Sequence, residues 1–242
     1  LRAHSLTRSG ALAAFAVGTL TFAYGGLGGA LVLLGFFVSS TLLSRVGRAR
    51  KRALGDIGKT GPRDAWQVAA NGGIATLAIV AGGPLGVAAF AGAYAAANAD
   101  TWGTEIGMLA EQQPYSIVNG KRLAAGLSGG ITLIGSLAEV AGALFIALLA
   151  AAAWPGVRMF AAVAVAGAAG AIVDSYLGAL LQERRWCPAC ERECENDLHS
   201  CGTRTVHRRG IAWMSNDAVN TAATAAGAVL AAALVAVLTR EV

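Results

Sequence analysis

The sequence predicts an all-α, polytopic integral membrane protein of about seven transmembrane helices, one membrane domain over residues 1–242, and three observations carry that reading. Hydrophobic residues make up 55% of the 242, charged residues only 14%, and mean hydropathy is +0.57. Apolar stretches of about 17 to 25 residues recur along the chain, the length that spans a bilayer. The 32 glycines, with abundant alanine, suit the close helix packing of a bilayer interior. A soluble fold would have to hide several all-round hydrophobic helices in one core of 24.4 kDa, which the surface-to-volume ratio at that size opposes.

The first expected helix, Ser9–Tyr24, follows Arg2 and Arg8 without a convincing cleavage site, so no cleavable signal peptide is expected. The chain opens on Leu1 rather than Met, which points to a missing N-terminal piece. Gly25-Gly26-Leu27-Gly28-Gly29 is a tight turn into Leu27–Leu43. The third helix, Trp66–Ala81, is short like the first, and Gly82-Gly83-Pro84 turns the chain into the fourth, Pro84–Leu109. Ile131–Ala153, Val157–Leu181 and Trp213–Leu238 complete the set. Ser44–Ala65, Ala110–Gly130 and Gln182–Ala212 are long and polar, so short and long connections alternate.

That alternation sets the orientation. With the N-terminus and the three long connections on one side, all of the 19 Lys and Arg residues except Arg158 and Arg240 lie there. The positive-inside rule makes that side cytoplasmic. The formal net charge of +5 is then ordinary loop charge, and no nucleic-acid partner is expected.

Polar residues inside this apolar frame are the informative ones. Asn98-Ala99-Asp100-Thr101-Trp102-Gly103-Thr104-Glu105 ends the fourth apolar segment. An ionised carboxylate near hydrocarbon costs several kcal/mol unless it is paired, hydrogen-bonded, metal-bound or wet. Asp100 falls roughly 24 Å along a helix from Pro84, near the cytoplasmic boundary, and Asp174 falls at a similar depth in the sixth helix. Asn216, Asp217 and Asn220 open the last helix on that side, and Gln67 and Asn71 open the third. At about 100° per residue, Asn98, Asp100, Thr101, Thr104 and Glu105 share an arc of roughly 160°, opposite Trp102, Gly103 and Ile106. Asp174, Ser175, Gly178 and Gln182 share another face, as do Asn216, Asp217, Asn220 and Thr224. Any single Asn or Thr among these reads more readily as interhelical hydrogen-bond glue. Asp100, Glu105 and Asp174 together read as a site.

The opposing basic groups are Arg45, Arg48, Arg50, Lys51, Arg52, Lys59 and Arg63 after the second helix, and Lys121 and Arg122 before Gly126-Leu127-Ser128-Gly129-Gly130. A small-residue loop ahead of a helix can turn backbone N–H groups toward a phosphate. This loop lacks the Walker A pattern and reads equally as a flexible helix entry, and the basic run reads equally as ordinary loop charge. Carboxylates able to hold Mg²⁺, cations able to hold phosphate and an adjacent lipid phase together point to phosphoryl transfer at the bilayer surface.

Seven separated stretches carry a family resemblance. The first three are Leu6-Thr7-Arg8-Ser9-Gly10-Ala11 with Val17-Gly18-Thr19, Phe36-Phe37-Val38-Ser39-Ser40 with Leu43-Ser44-Arg45, and Gln67-Val68-Ala69-Ala70-Asn71-Gly72. Ala99-Asp100-Thr101-Trp102-Gly103-Thr104-Glu105-Ile106-Gly107 and Ser128-Gly129-Gly130 with Gly135 follow. Asp174-Ser175-Tyr176-Leu177-Gly178-Ala179-Leu180-Leu181-Gln182 and Asn216-Asp217-Ala218-Val219-Asn220 complete them. In this order, over nearly the whole chain, they resemble the membrane family that contains the plant and cyanobacterial phytyl-phosphate kinases, together with many archaeal and bacterial members. Members commonly carry another helix before the first stretch, which implies a further N-terminal helix. The family's loop commonly reads Pro-x-Gly-Thr-x-Gly-Gly, whereas this chain has Leu123-Ala124-Ala125-Gly126-Leu127-Ser128-Gly129-Gly130, keeping the final glycine pair without the Pro and Thr.

The resemblance implies an isoprenyl-phosphate kinase. Such an enzyme moves the γ-phosphate of a nucleoside triphosphate to a membrane isoprenyl monophosphate, phytyl or geranylgeranyl phosphate, giving the diphosphate. A phosphate acceptor is already anionic, so the task is metal positioning and charge neutralisation rather than base catalysis. On that reading Asp100, Glu105 and Asp174 are ligands of Mg²⁺ or of its water, with Asp217 as a further catalytic acid. Asn71, Asn98, Asn216, Asn220 and Gln182 orient phosphates or metal-bound water, and Thr101, Thr104, Ser128, Gly129 and Gly130 join the phosphate-binding set. Arg45, Lys51, Lys121 and Arg122 contact phosphate. The isoprenyl chain lies among Ala- and Gly-rich helices, open to membrane lipids.

All four cysteines fall in the last long connection, 182–212, as Cys187-Pro188-Ala189-Cys190, Cys194 and Cys201, with His199 and His207 nearby. On a cytoplasmic face disulfides are disfavoured. The spacing suits a small zinc-binding insertion in which Cys187, Cys190, His199 and Cys201 hold a structural Zn²⁺, with Cys194 as substitute for His199. Free thiols or a redox pair are the other readings of these residues.

Two other functions compete. A lipid alcohol kinase acting on polyprenol or phytol would use the same machinery, with Asp100 or Asp174 as base for the hydroxyl. A membrane transporter would place ionisable groups near the midplane and often show repeated halves or broken helices. Here the acids gather toward one face and no convincing repeat is evident.

Overall fold

The computed structural model describes residues 5–53 and 62–240, so Lys59 of the basic run lies outside the described residues. Helix α1 (Arg8–Leu43) begins at Thr7, whose hydroxyl accepts from the Gly10 amide at 3.0 Å. Two helices are expected here, and α1 consists of two helical arms folded back on each other at Gly26 (φ 57°, ψ −147°), a conformation open to glycine. The fold-back is sharp. A Cβ at Gly29 would lie 2.9 Å from the Thr21 carbonyl, and one at Gly18 would touch Leu33 at 4.0 Å. A straight helix would hold Gly18 and Leu33 roughly 22 Å apart. Leu43 therefore returns to the end at which Arg8 began.

Helix α2 (Arg48–Ala53) is a short addition that the sequence reading leaves as loop. Helix α3 (Ala65–Ala81) opens with a capping box: Asp64 accepts from the Gln67 amide at 2.9 Å, and the Gln67 side chain accepts from the Asp64 amide at 3.1 Å. Gly82 (φ 74°) turns the chain into α4 (Gly83–Gly107), which carries Pro84 in its first turn. Strands β1 (Tyr115–Ser116) and β2 (Gly130–Ile131) pair antiparallel and tie the two ends of the next connection together. Helices α5 (Leu133–Ala153) and α6 (Val157–Leu180) follow. An insertion then forms a small antiparallel sheet of β3 (Arg184–Cys187), β4 (Arg192–Cys194) and β5 (Val206–Arg209) in the order β4-β3-β5, and α7 (Asn216–Arg240) closes the chain. These strands are absent from the sequence reading because they are short and interleave cysteines with charges, which hides any alternation.

Helix α4 is central, packed against α1, α3, α5, α6 and α7. Phe90 through Ala99 is buried without interruption. Small residues permit this, since a Cβ at Gly227 on α7 would sit 2.6 Å from the Gly92 carbonyl. Larger rings fill the end of the bundle away from Asp100: Phe90 meets Tyr94 at 5.1 Å and Trp154 at 6.1 Å between centroids, both edge to face.

Outward faces are apolar, with Leu12, Phe15, Leu133, Leu148 and Val229 exposed, a surface suited to lipid rather than water. By length and composition α1, α5, α6 and α7 are able to cross a membrane, and α3 is a shorter apolar helix. Helix α4 is not in that set, because glycine, Asn98 and Asp100 dilute its apolar content. The three long connections meet at one end of the bundle, where Arg48, Gln112 and Glu195 line a common space.

Candidate functional site

That space is a cavity of about 490 Å³, within the roughly 300–1,000 Å³ typical of small-molecule sites. Its floor is acidic. Asp100, in the last third of α4, is hydrogen-bonded to the Thr104 side chain and to the Asp174 carboxyl of α6, and the charges of Glu105 and Glu139 are close by. Glu139 projects from α5 against Gly103; a Cβ there would lie 2.8 Å from Glu139 Oε1, so glycine makes room for the carboxylate. With its amide turned to suit both neighbours, Asn220 donates to Asp174 Oδ2 at 3.0 Å and to the Asn216 carbonyl at 3.2 Å.

The rim is basic. Arg45 at the end of α1, Arg48 and Lys51 of α2, and Arg63 ahead of α3 all line the cavity. Arg63 is set in place by backbone pairing with the segment before α1: Thr7 donates to its carbonyl and Ser5 accepts from its amide, each at 3.0 Å. Burial pulls the Arg63 guanidinium below its ordinary pKa, and the charge of Glu105 opposes that shift. Lys51 Nζ lies 2.5 Å from Glu105 Oε2 and 2.8 Å from the Leu43 carbonyl, so its charge is matched inside the wall.

A third wall is the turn Leu127-Ser128-Gly129-Gly130, held between β2 and the insertion. Gly129 has φ 79°, and a Cβ there would sit 2.7 Å from Ala179 Cα, so both its conformation and its contact with α6 require glycine. The Ser128 amide, at 3.4 Å, and its hydroxyl, at 2.7 Å, both donate to Glu195 Oε1, while Arg184 donates to the Ser128 carbonyl at 2.6 Å. Burial pushes the Glu195 carboxyl up, and the Ser128 hydrogen bonds oppose it.

Of the residues expected in the site, the cavity gathers Asp100, Thr101, Thr104, Glu105 and Asp174 with Arg45 and Lys51. Ser128, Gly129, Gly130 and Asn216 line it as well. Others stand elsewhere. Asn98 is fully buried between helices, donating to the Gly142 carbonyl at 2.9 Å and accepting from Ser39 at 3.0 Å, so its amide is committed to packing. Asn71 donates to the Gln67 carbonyl at 3.1 Å. Lys121 and Arg122 are exposed on the turn beyond β1, with Arg122 over the Tyr115 ring at 5.9 Å. Gln182 is buried and hydrogen-bonds Glu195 without lining the cavity, Asp217 is half-buried in the first turn of α7, and Asn220 reaches the site through Asp174.

Two acids enter that the sequence reading passes over. Glu139 had a signal, a lone carboxylate between Ala138 and Val140 in an apolar helix. Glu195 had none, being one of several acids in the Cys-rich insertion. There, ligand atoms of Cys187, Cys190, His199 and Cys201 lie within 4.8 Å of one another, and Cys194 is outside the group.

The family model described as integral membrane protein DUF92 matches residues 1–228. The chain belongs to the DUF92 family. The membership expected from the seven stretches is met, and the helical bundle is that of an integral membrane protein. Protein PGR of Arabidopsis thaliana is 33% identical over 214 residues, covering 76% of this chain and 74% of that protein. Uncharacterized membrane protein MJ0933 of Methanocaldococcus jannaschii is 31% identical over 186 residues, covering 76% of this chain and 77% of its own. Protein VTE6, chloroplastic, also of Arabidopsis thaliana, is 27% identical over 237 residues, covering 93% of this chain and 64% of that protein. No solved structure matches the chain.

Proposed function

We propose that this DUF92 member is an isoprenyl-phosphate kinase, transferring the γ-phosphate of a nucleoside triphosphate to a membrane isoprenyl monophosphate such as phytyl or geranylgeranyl phosphate. The observation that carries this reading is the division of one cavity between an acidic floor, Asp100, Glu139 and Asp174, and a guanidinium rim, Arg45, Arg48 and Arg63. Phosphoryl transfer uses both, because guanidiniums match the charge of the anionic reactants and carboxylates would hold the Mg²⁺ that neutralises it further. The resemblance to the membrane family that contains the phytyl-phosphate kinases supports the acceptor, and the apolar outer faces suit a substrate whose chain stays in lipid.

The donor set fits Mg²⁺. Asp100 and Asp174 meet carboxyl to carboxyl, a contact that calls for a proton or a cation to offset the like charges, and oxygen donors suit this ion. Asp100 and Asp174, with Glu139 alongside, are the residues that would hold it, and it would supply neutralisation of charge on the phosphates. The chain's own residues do the rest. Arg45, Arg48 and Arg63 bind the triphosphate, Thr104 and Asn220 hold the Asp100 and Asp174 carboxyls, and Ser128 and Thr101, whose hydroxyls donate to Glu195 and to the Ala97 carbonyl, shape the wall rather than contact phosphate. An isoprenyl monophosphate is anionic at neutral pH, so no side chain has to remove a proton from it.

On the same reading, the two arms of α1 with α3, α4, α5, α6 and α7 make seven crossings, and the long connections face the cytoplasm of a bacterial or archaeal cell. Purified protein with Mg²⁺, a panel of nucleoside triphosphates and phytyl phosphate tests the proposal, with phytyl diphosphate as the expected product. Phosphorylation of phytol, with phytyl phosphate left unchanged, would replace it with the lipid alcohol kinase.

A further inference from the structure

Phosphoryl transfer leaves the Cys-rich insertion between α6 and α7 unused, yet its side chains converge. Cys187 Sγ and Cys201 Sγ are 3.6 Å apart, and His199 Nδ1 is 3.1 Å from Cys201 Sγ. With Zn–S bonds of about 2.3 Å and Zn–N of about 2.0 Å, a tetrahedral ion spaces its sulfurs by about 3.8 Å and sulfur from nitrogen by about 3.5 Å. A disulfide requires about 2.05 Å. The observed separations are close to the edges of a zinc tetrahedron, and Cys190 completes the four.

The backbone points the same way. Each ligand pair is followed directly by a left-handed residue, Cys190 by Glu191 (φ 50°) and Cys201 by Gly202 (φ 82°). Among the described residues Glu191 is the one non-glycine with positive φ, a conformation that persists where the surroundings hold it. Cys194 is buried outside the group, its Sγ 4.0 Å from the Asn196 carbonyl.

What the insertion touches ties the group to the cavity. Strand β3 carries both Cys187 and Arg184, and Glu195 directly follows β4. Arg184 and Glu195 grip Ser128 through its carbonyl and its hydroxyl. We propose that Cys187, Cys190, His199 and Cys201 bind one structural Zn²⁺, and that this ion maintains the grip of Arg184 and Glu195 on the Ser128 wall of the cavity. Four protein ligands leave no open position, so the ion takes no part in transfer chemistry. The metal site stands whatever the cavity transfers.

The test is metal analysis of the full chain purified in detergent without chelator. One zinc per chain is expected, exchangeable for Co²⁺ with the visible spectrum of a tetrahedral, thiolate-bound ion. Zinc below about a tenth of an equivalent with no cobalt spectrum on reconstitution would overturn the site, as would a Cys187–Cys201 disulfide in the protein as purified. Cys187→Ser and Cys201→Ser should lose the metal while Cys194→Ser keeps it, and the reverse pattern overturns the ligand set. If a serine variant fails to fold, the cobalt spectrum of the unaltered chain decides. On zinc removal, hydrogen exchange at the Ser128 and Gly130 amides should speed by about tenfold or more. Unchanged exchange would overturn the link to the cavity wall, independently of any phosphotransfer assay.

Discussion

Lys51 Nζ lies 2.5 Å from Glu105 Oε2, joining the short helix of the first long connection to the end of α4. Lys51 is 7% exposed and Glu105 17%, so the pair is held largely away from water. The sequence reading gives the two residues separate duties, a phosphate contact and a metal ligand. Their pairing matches one charge with the other and latches α2 against the cavity.

Removing one partner therefore strands a buried charge. Glu105→Gln is expected to lower stability by about 3 kcal/mol or more, and combining it with Lys51→Met should recover part of the loss. Thermal unfolding of the single and double variants in detergent checks this; strictly additive losses would show that the pair contributes no coupling.

Asp100→Asn and Asp174→Asn should each reduce phosphotransfer by at least about 100-fold while the helical content and chromatographic profile stay unchanged, because each removes a carboxylate that would hold the Mg²⁺ offsetting phosphate charge. Glu139→Gln should also lower the rate and raise the Mg²⁺ concentration at half-maximal activity. Near-normal turnover in Asp100→Asn would sink the metal assignment.

Arg48→Ala and Arg63→Ala are expected to raise KM for the nucleotide about tenfold with a smaller change in kcat, since a guanidinium on the rim contributes binding before the transition state. Arg63→Lys should restore part of that affinity. An unchanged KM in both alanine variants would remove the rim from nucleotide binding.

Asn98→Ala should act on stability alone. It removes the bonds to the Gly142 carbonyl and from the Ser39 hydroxyl, which keeps the Phe36 carbonyl at 3.2 Å and Trp102 Nε1 at 3.2 Å, and it empties a buried amide's volume, a loss of about 1–3 kcal/mol. Enzyme that remains folded should keep its Mg²⁺ dependence and nucleotide KM. A shift in either would return Asn98 to the phosphate-binding set.

Much of the frame is legible in the chain because the signals are local. Trp66–Ala81 and Val157–Leu181 are expected, and α3 and α6 match them to within a residue. Apolar length and flanking Gly and Pro mark such ends without reference to neighbours. The fold-back at Gly26 is legible as well, as a glycine-rich turn with almost no polar content between two apolar runs. Strands β3, β4 and β5 are not legible, since a few residues rich in Arg and Cys carry no period.

By itself, then, the sequence determines the membrane class, the family, the helix positions, the acid run of α4, and four Cys and His residues at metal-ligand spacing, all properties of composition and local order. Tertiary structure alone decides which of the polar residues meet. It brings Glu139 and Glu195 to the cavity walls, pairs Lys51 with Glu105, buries Asn98 in packing and leaves Lys121 and Arg122 outside. The physical reason is that helical phase says which residues share a face. The rotation of each helix against its neighbours, set by contacts such as Gly92 with Gly227 and Gly103 with Glu139, says what that face meets.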